Sequence, residues 1–208
     1  MRLQAAIDRV SLERADEIIS LTAGYADIIE VGTSLIKDFG LEGSVRILKE
    51  KYPSLCILAD IKTCDEGAYE FRKTYEAGGD IPTVMGFSSI DTIKACQEVA
   101  AEFHKEYMID LLEVSDEKAA VLKSMFPEAI FCIHLPADNK GKGLEELVTR
   151  MCSQLTGIQK IAAAGGVTLE TIDIMKKAGV DIVIVGSAIH KAENITEAAK
   201  IFAAAIRR

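Results

Sequence analysis

Short apolar runs and amphipathic stretches alternate along the whole chain. The runs Leu3–Asp8, Asp27–Val31, Cys56–Ile61, Ile81–Met85, Tyr107–Leu112, Ala129–His134, Lys160–Ala164 and Asp181–Val185 have the length and β-branched content of strands. Between them lie stretches with apolar residues at helical spacing, such as Leu35–Lys51 and Ile90–Phe103. Ser11 stands where it would cap a first helix, although Arg14 takes the place where a capping box wants Glu or Gln. Thr168-Leu169-Glu170, following Gly165-Gly166, reads as a further helix start.

Strands alternating with helices at intervals of about 25 residues predict a (β/α)₈ barrel, a compact one at this length. Nothing in the composition divides the chain, so residues 1–208 read as a single barrel domain. An open doubly wound sheet is the structural alternative. The G-x-G-x-x-G fingerprint such a sheet often carries after its first strand is absent, which weakens a dinucleotide site but not the sheet itself.

The polar residues then acquire a position. Asp8 ends strand 1, Glu30 lies in strand 2, Asp60 and Lys62 end strand 3, Asp110 lies in strand 5 and His134 ends strand 6. All fall near the C-terminal ends of their strands, where barrels of this kind place their chemistry. The densest cluster is Ala59-Asp60-Ile61-Lys62-Thr63-Cys64-Asp65. On an extended strand Asp60 and Lys62 point to the same face, and buried charges there must be paired or bind something. A salt bridge closing a strand end is the plainer alternative.

Glu30 interrupts the apolar run Ile28-Ile29-Glu30-Val31. With Asp60 it could supply two hard oxygen ligands to Mg²⁺; a structural pairing with Lys62 is the competing explanation. A metal there would polarise a substrate carbonyl, and Lys62 would add positive charge at a developing enediolate oxygen. His134 follows an apolar strand and could move a proton near neutral pH, whereas His104 and His190 read as surface residues. Glycine turns follow the seventh and eighth runs, Ala164-Gly165-Gly166 and Gly186-Ser187-Ala188. Their backbone amides suit an anion, and loops in these two places are the usual phosphate grip of the barrel.

Composition narrows the partners. The net charge is −8 with no basic block, which argues against a nucleic-acid ligand but leaves room for a small phosphorylated substrate. The five cysteines show no C-x-x-C spacing, so neither a zinc site nor a disulfide framework is expected. Cys56 and Cys132 read as small buried thiols, and Cys64 sits beside the charged cluster. No apolar run reaches membrane-spanning length and Met1-Arg2-Leu3-Gln4 lacks a signal core, so a cytoplasmic protein is expected.

Several segments together resemble one family. They are Leu3-Gln4-Ala5-Ala6-Ile7-Asp8, Ile29-Glu30-Val31-Gly32-Thr33, Leu58-Ala59-Asp60-Ile61-Lys62 with Asp65, Thr83-Val84-Met85-Gly86 and Ala163-Ala164-Gly165-Gly166. They are similar to the orotidine 5′-phosphate decarboxylase superfamily, specifically to 3-hexulose-6-phosphate synthases and their sisters, the 3-keto-L-gulonate-6-phosphate decarboxylases. The resemblance implies a homodimer with shared active sites and Mg²⁺ held by Glu30 and Asp60. It implies an enediolate stabilised by Lys62, an Asp65 that reaches the partner's site, and a proton carried by His134. Asp8 and Asp110 would lie around the sugar phosphate, and Gly165, Gly166, Gly186 and Ser187 would hold the phosphate. The stretches His134-Leu135-Pro136-Ala137-Asp138, Ala164-Gly165-Gly166 and Gly186-Ser187-Ala188 are synthase-like. Leu135-Pro136 departs from the usual H-T-G-x-D pattern, and Asn139-Lys140 replaces the region around a glutamine. The implied activity is aldol condensation of ribulose 5-phosphate with formaldehyde. Decarboxylation of 3-keto-L-gulonate 6-phosphate and a sugar-phosphate binder without catalysis are the alternatives.

Overall fold

In the computed structural model, which describes residues 1–139 and 143–208, eight parallel strands close into one barrel in sequence order. They are β1 (Arg2–Ile7), β2 (Ile28–Val31), β3 (Ile57–Thr63), β4 (Ile81–Met85), β5 (Met108–Asp110), β6 (Ile130–His134), β7 (Ile161–Ala164) and β8 (Ile182–Val185). The β1–β8 pairing closes the ring, with Leu3 opposite Val183 and Ala5 opposite Val185. All eight expected strands are present; β5 ends at Asp110 instead of running on to Leu112, and β3 runs on to Thr63 instead of ending at Ile61.

The period-two alternation of the strands builds two cores. Ile28, Leu58, Ile81, Met108, Ile130, Cys132, Ala162, Ala164, Ile182 and Ile184 fill the barrel interior. Leu3, Ala5, Ile7, Val84, Phe131, Ile133 and Val183 face outward into a larger layer shared with the helices. A strand buried on both faces therefore reads as a nearly continuous apolar run. The polar exceptions inside the barrel rise toward its C-terminal mouth.

The outer layer consists of α1 (Leu12–Thr22), α2 (Thr33–Leu41), α3 (Ile47–Lys51), α4 (Gly67–Glu76), α5 (Ile90–Phe103), α6 (Asp116–Met125), α7 (Leu144–Gln154), α8 (Ile172–Ala178), α9 (Ser187–His190) and α10 (Ile195–Arg207). Ser11 caps α1 as expected, its hydroxyl accepting from the Arg14 N–H at 3.3 Å. Ser89 caps α5 in the same way through Thr92 at 3.0 Å. Two helical expectations are corrected. Leu35–Lys51 is not one helix, because Gly40 turns to φ 69° and the chain passes through a π turn over Glu42–Arg46 before α3. Thr168 does not start a helix: it closes a turn with the Thr171 hydroxyl, and α8 begins at Ile172. Among the described residues, no helix is long and apolar enough to cross a membrane.

One strand is irregular where it matters. Ala59 of β3 pairs with Pro82 but Thr63 pairs with Val84, so the register slips between them. Lys62 sits inside this bulge at φ 51°, a left-handed backbone unusual for a residue with a side chain. Its N–H is held by the Thr83 hydroxyl at 2.9 Å. Plain strand alternation, the basis for expecting Asp60 and Lys62 on one face, does not operate here. The bulge sets the direction of Lys62.

Candidate active site

The mouth of the barrel opens into a cavity of about 610 Å³. Asp8, Glu30, Asp60, Lys62, Asp110, His134, Gly165, Gly166, Gly186 and Ser187 all line it. Of the residues singled out from the sequence as the site, only Asp65 lies elsewhere. It is exposed, and its carboxylate accepts from the Glu66 N–H at 2.8 Å.

The centre of the cavity is a continuous polar chain. The Lys62 ammonium donates to Asp110 Oδ2 at 3.0 Å and lies 3.1 Å from Asp60 Oδ2. His134 Nδ1 shares the same Asp110 oxygen at 2.8 Å, while Asp110 Oδ1 accepts from the Leu112 N–H at 2.9 Å. Asp60 is positioned by two hydroxyls, Thr83 at 2.9 Å and Thr33 at 2.7 Å. Glu30 accepts from the Gln4 side-chain amide at 2.6 Å.

These contacts decide the charge states. Burial works against the Lys62 ammonium, but Asp60 and Asp110 outweigh it and hold the group above its ordinary range. Burial likewise opposes ionisation of Asp110, and the His134 hydrogen bond with its charge, then Lys62, bring that carboxyl below the usual value. His134 is raised above its ordinary value, because the Asp110 contact overcomes the burial that opposes it. Glu30 goes the other way. Enclosure by protein, and then the charge of Asp60, push its carboxyl up to about 8. Burial, followed by Asp110, pushes the Cys132 thiol well above its ordinary value.

Other lining residues carried weaker sequence signals. Gln4 is fully buried and in phase with Asp8 along β1, a polar residue in an apolar strand. Cys132 is in phase with His134 on β6, and Thr83 faces inward from β4. His190 is not the surface residue expected: α9 folds its ring over β1, where Nδ1 donates to the Ala6 carbonyl at 3.1 Å. His104 is exposed, as expected, in a left-handed position ending α5. Asp110, Cys132 and His134 also bring one oxygen, one sulfur and one nitrogen within 4.8 Å of one another, a set able to hold a metal ion.

The rim comes from the strand-to-helix loops. Asp8 accepts from the Ser34 N–H at 2.9 Å and from its hydroxyl, tying the ends of β1 and β2 together. Gly165, at φ 102°, lies so close to the next loop that a Cβ would come within 2.2 Å of the Leu135 carbonyl oxygen. The glycine therefore seats the loop after β7 against the loop after β6. Arg9 and Lys191 line the same rim. Lys140, part of the Asn139-Lys140 departure, falls outside the described residues.

Comparison with known proteins agrees with this geometry. The family described as orotidine 5′-phosphate decarboxylase / HUMPS matches residues 1–202. A 3-hexulose-6-phosphate synthase of Bacillus subtilis (strain 168) is 35% identical over 204 residues, 96% of this chain and 95% of that protein. A crystal structure of a 3-hexulose-6-phosphate synthase superposes with a TM-score of 0.91 at 33% identity, covering 99% of this chain and 100% of that one. The synthase from Salmonella typhimurium superposes with a TM-score of 0.90 at 30% identity, covering 100% and 99%.

Proposed function

The chain belongs to the orotidine 5′-phosphate decarboxylase / HUMPS family and is a lyase, and from that premise we propose that it is an aldolase of the 3-hexulose-6-phosphate synthase type. The substrates would be ribulose 5-phosphate and formaldehyde, joined reversibly. The observation that supports this most is the Lys62 ammonium held between Asp60 and Asp110, with His134 on the same Asp110 oxygen. A cation kept charged by two carboxylates is suited to an oxygen that becomes anionic in the transition state.

The donor set also fits a hard divalent cation. Glu30 and Asp60 both face the cavity through oxygen, and the Glu30 carboxyl is raised first by its burial and then by the charge of Asp60, a penalty that a bound cation would relieve. Mg²⁺ bound there would supply Lewis-acid polarisation of a substrate carbonyl. The remaining roles belong to side chains. With Nδ1–H donated to Asp110, His134 keeps Nε2 to take a proton from C1 of the ribulose. Lys62 would stabilise the enediolate oxygen that results. C1 then forms a bond to the formaldehyde carbon, and the former aldehyde oxygen takes a proton to become the new hydroxyl. Asp8 and Asp110 would orient sugar hydroxyls. Gly165, Gly166, Gly186 and Ser187 would offer backbone amides to the phosphate, with Arg9 and Lys191 adding positive charge at the rim.

Asp65 belongs, in this proposal, to the active site of a second copy in a homodimer. Its exposed carboxylate lies outside its own cavity, immediately beyond the strand that carries Asp60 and Lys62.

The test is to incubate the purified protein and Mg²⁺ with ribulose 5-phosphate plus formaldehyde, and separately with 3-keto-L-gulonate 6-phosphate. Formaldehyde consumption without CO₂ release is the expected result. Release of CO₂ from the second substrate, with no consumption of formaldehyde, would overturn the synthase assignment in favour of the decarboxylase. Mg²⁺-dependent binding without turnover would leave a sugar-phosphate binder.

A further inference from the structure

Beside the oxygen pair Glu30 and Asp60, the cavity holds a second donor set of different chemistry. Asp110 closes β5, and Cys132 lies directly opposite it in the β5–β6 register. His134 follows two residues later on β6, so its side chain rises on the same inward face. The three ligand atoms lie within 4.8 Å of one another and line the cavity, where an ion could reach them. We propose that Asp110, Cys132 and His134 form an inhibitory site for a zinc-class divalent cation, separate from the hard-cation pair at Glu30 and Asp60.

Ligand chemistry sorts the two sites. Mg²⁺ takes oxygen donors and gains little from sulfur, whereas zinc-class ions favour thiolate and imidazole. Such ions bind Cys at about 2.3 Å and His or carboxylate at about 2.0–2.2 Å in a tetrahedron, which places donors about 3.2–3.7 Å apart. The three donor atoms lie within 4.8 Å of one another and His134 Nδ1 stands 2.8 Å from Asp110 Oδ2, so binding would draw the set together while opening that one contact. Three protein donors with the fourth position open to a cavity is the arrangement of a reachable site.

The nearest opposing charge is Lys62, 3.0 Å from Asp110 Oδ2. It need not be expelled, because it is also 3.1 Å from Asp60 Oδ2 and can rest on that carboxylate alone. On binding, the Cys132 thiol releases its proton to solvent and His134 carries its remaining proton on Nε2. The hydrogen bond from His134 to Asp110 is then replaced by two bonds to the cation. Occupancy thus removes Nε2 as a proton acceptor. That consequence rests on the proposed function; the binding itself does not.

The deciding experiment titrates Co²⁺ into metal-free protein. The expected result is a thiolate-to-cobalt charge-transfer band saturating at one ion per chain, retained in Glu30→Gln, in Cys64→Ser and in excess Mg²⁺. The band should vanish in Cys132→Ser. Should that variant fold poorly, His134→Gln, checked by circular dichroism, provides an independent arm and should weaken Zn²⁺ binding at least tenfold by calorimetry. No band, a band that survives Cys132→Ser in folded protein, or one displaced by Mg²⁺ would overturn the site. If the protein turns over its sugar phosphate, Zn²⁺ should inhibit it without competing with Mg²⁺, and competition would overturn the inhibitory role. If there is no turnover on either sugar phosphate, the functional assignment fails while the cobalt band still decides the site.

Discussion

The two ends of the barrel use the same residue types for opposite purposes. At the N-terminal floor, Asp27 accepts from the Leu3 N–H at 2.8 Å, Asp80 from the Ile57 N–H at 2.9 Å and Asp181 from the Ile161 N–H at 2.9 Å. Each precedes one strand and holds the first residues of the strand before it. Asp80 is further satisfied by Lys49 at 2.8 Å and Lys105 at 2.9 Å. At the mouth the carboxylates share their partners. One oxygen of Asp110 serves both Lys62 and His134, and Glu30 has a single donor in Gln4.

Backbone strain follows the same division. Among the described residues, Arg9, Lys62, Glu66, His104 and Glu113 are the non-glycine residues with positive φ. All but His104 lie at the mouth or in its strand-to-helix loops. Such positions cost about 1–3 kcal/mol each and persist where the surrounding structure enforces them. Charges at the floor therefore hold strands in place, while charges at the mouth hold one another around a space open to a ligand.

Substitutions at the two ends should separate cleanly. The largest effect is expected from Lys62→Ala: kcat should fall about 10²–10³-fold, with the circular dichroism spectrum unchanged, because charge stabilisation of the transition state is lost. Unchanged turnover in folded protein would erase the distinction at its centre. Next comes Asp65→Asn, which should be nearly inactive alone but regain activity when subunits are exchanged with Lys62→Ala. In a shared-site dimer the mixed pair contains one intact site, so failure of the mixture to recover would place Asp65 outside the neighbour's site.

At the floor, Asp80→Ala should cost stability instead of turnover. It strands the Ile57 N–H and leaves two lysines with only a backbone carbonyl each, and a loss of about 1–3 kcal/mol is expected in chemical denaturation, with activity per folded molecule kept. The last effect concerns Glu30. Its folded carboxyl is raised from 4.5 to about 8, so the contribution of Glu30 to stability is complete below about 4.5 and is lost as pH rises from there toward 8. Metal-free Glu30→Gln should therefore gain in Tm relative to the parent across that window, and added Mg²⁺ should narrow the gap. A constant difference at all pH values would mean that Glu30 is not held in this way.

Much of the fold was legible because barrel strands are buried on both faces and their boundaries carry polar residues. Asp8, Glu30, Asp60, Asp110 and His134 announced themselves as charges or a histidine at strand ends. Gln4 and Cys132 did not, since an amide and a thiol in apolar runs look like ordinary core residues. Only their phase with Asp8 and His134 placed them in the cavity. His190 was hidden for another reason: its position depends on α9 folding back onto β1, a contact between the two ends of the chain.

The sequence by itself determined that strands and helices alternate, which faces they bury, and that charge gathers toward one end of the strands. These follow from local periodicity and from the cost of burying unpaired polar groups. Tertiary structure alone decided that one Asp110 oxygen serves both Lys62 and His134, and that a slip in the β3–β4 pairing aims Lys62. Those outcomes depend on closing the ring, which sets the ends of β3, β5 and β6 around a single space. No spacing along the chain encodes the distance between side chains on different strands.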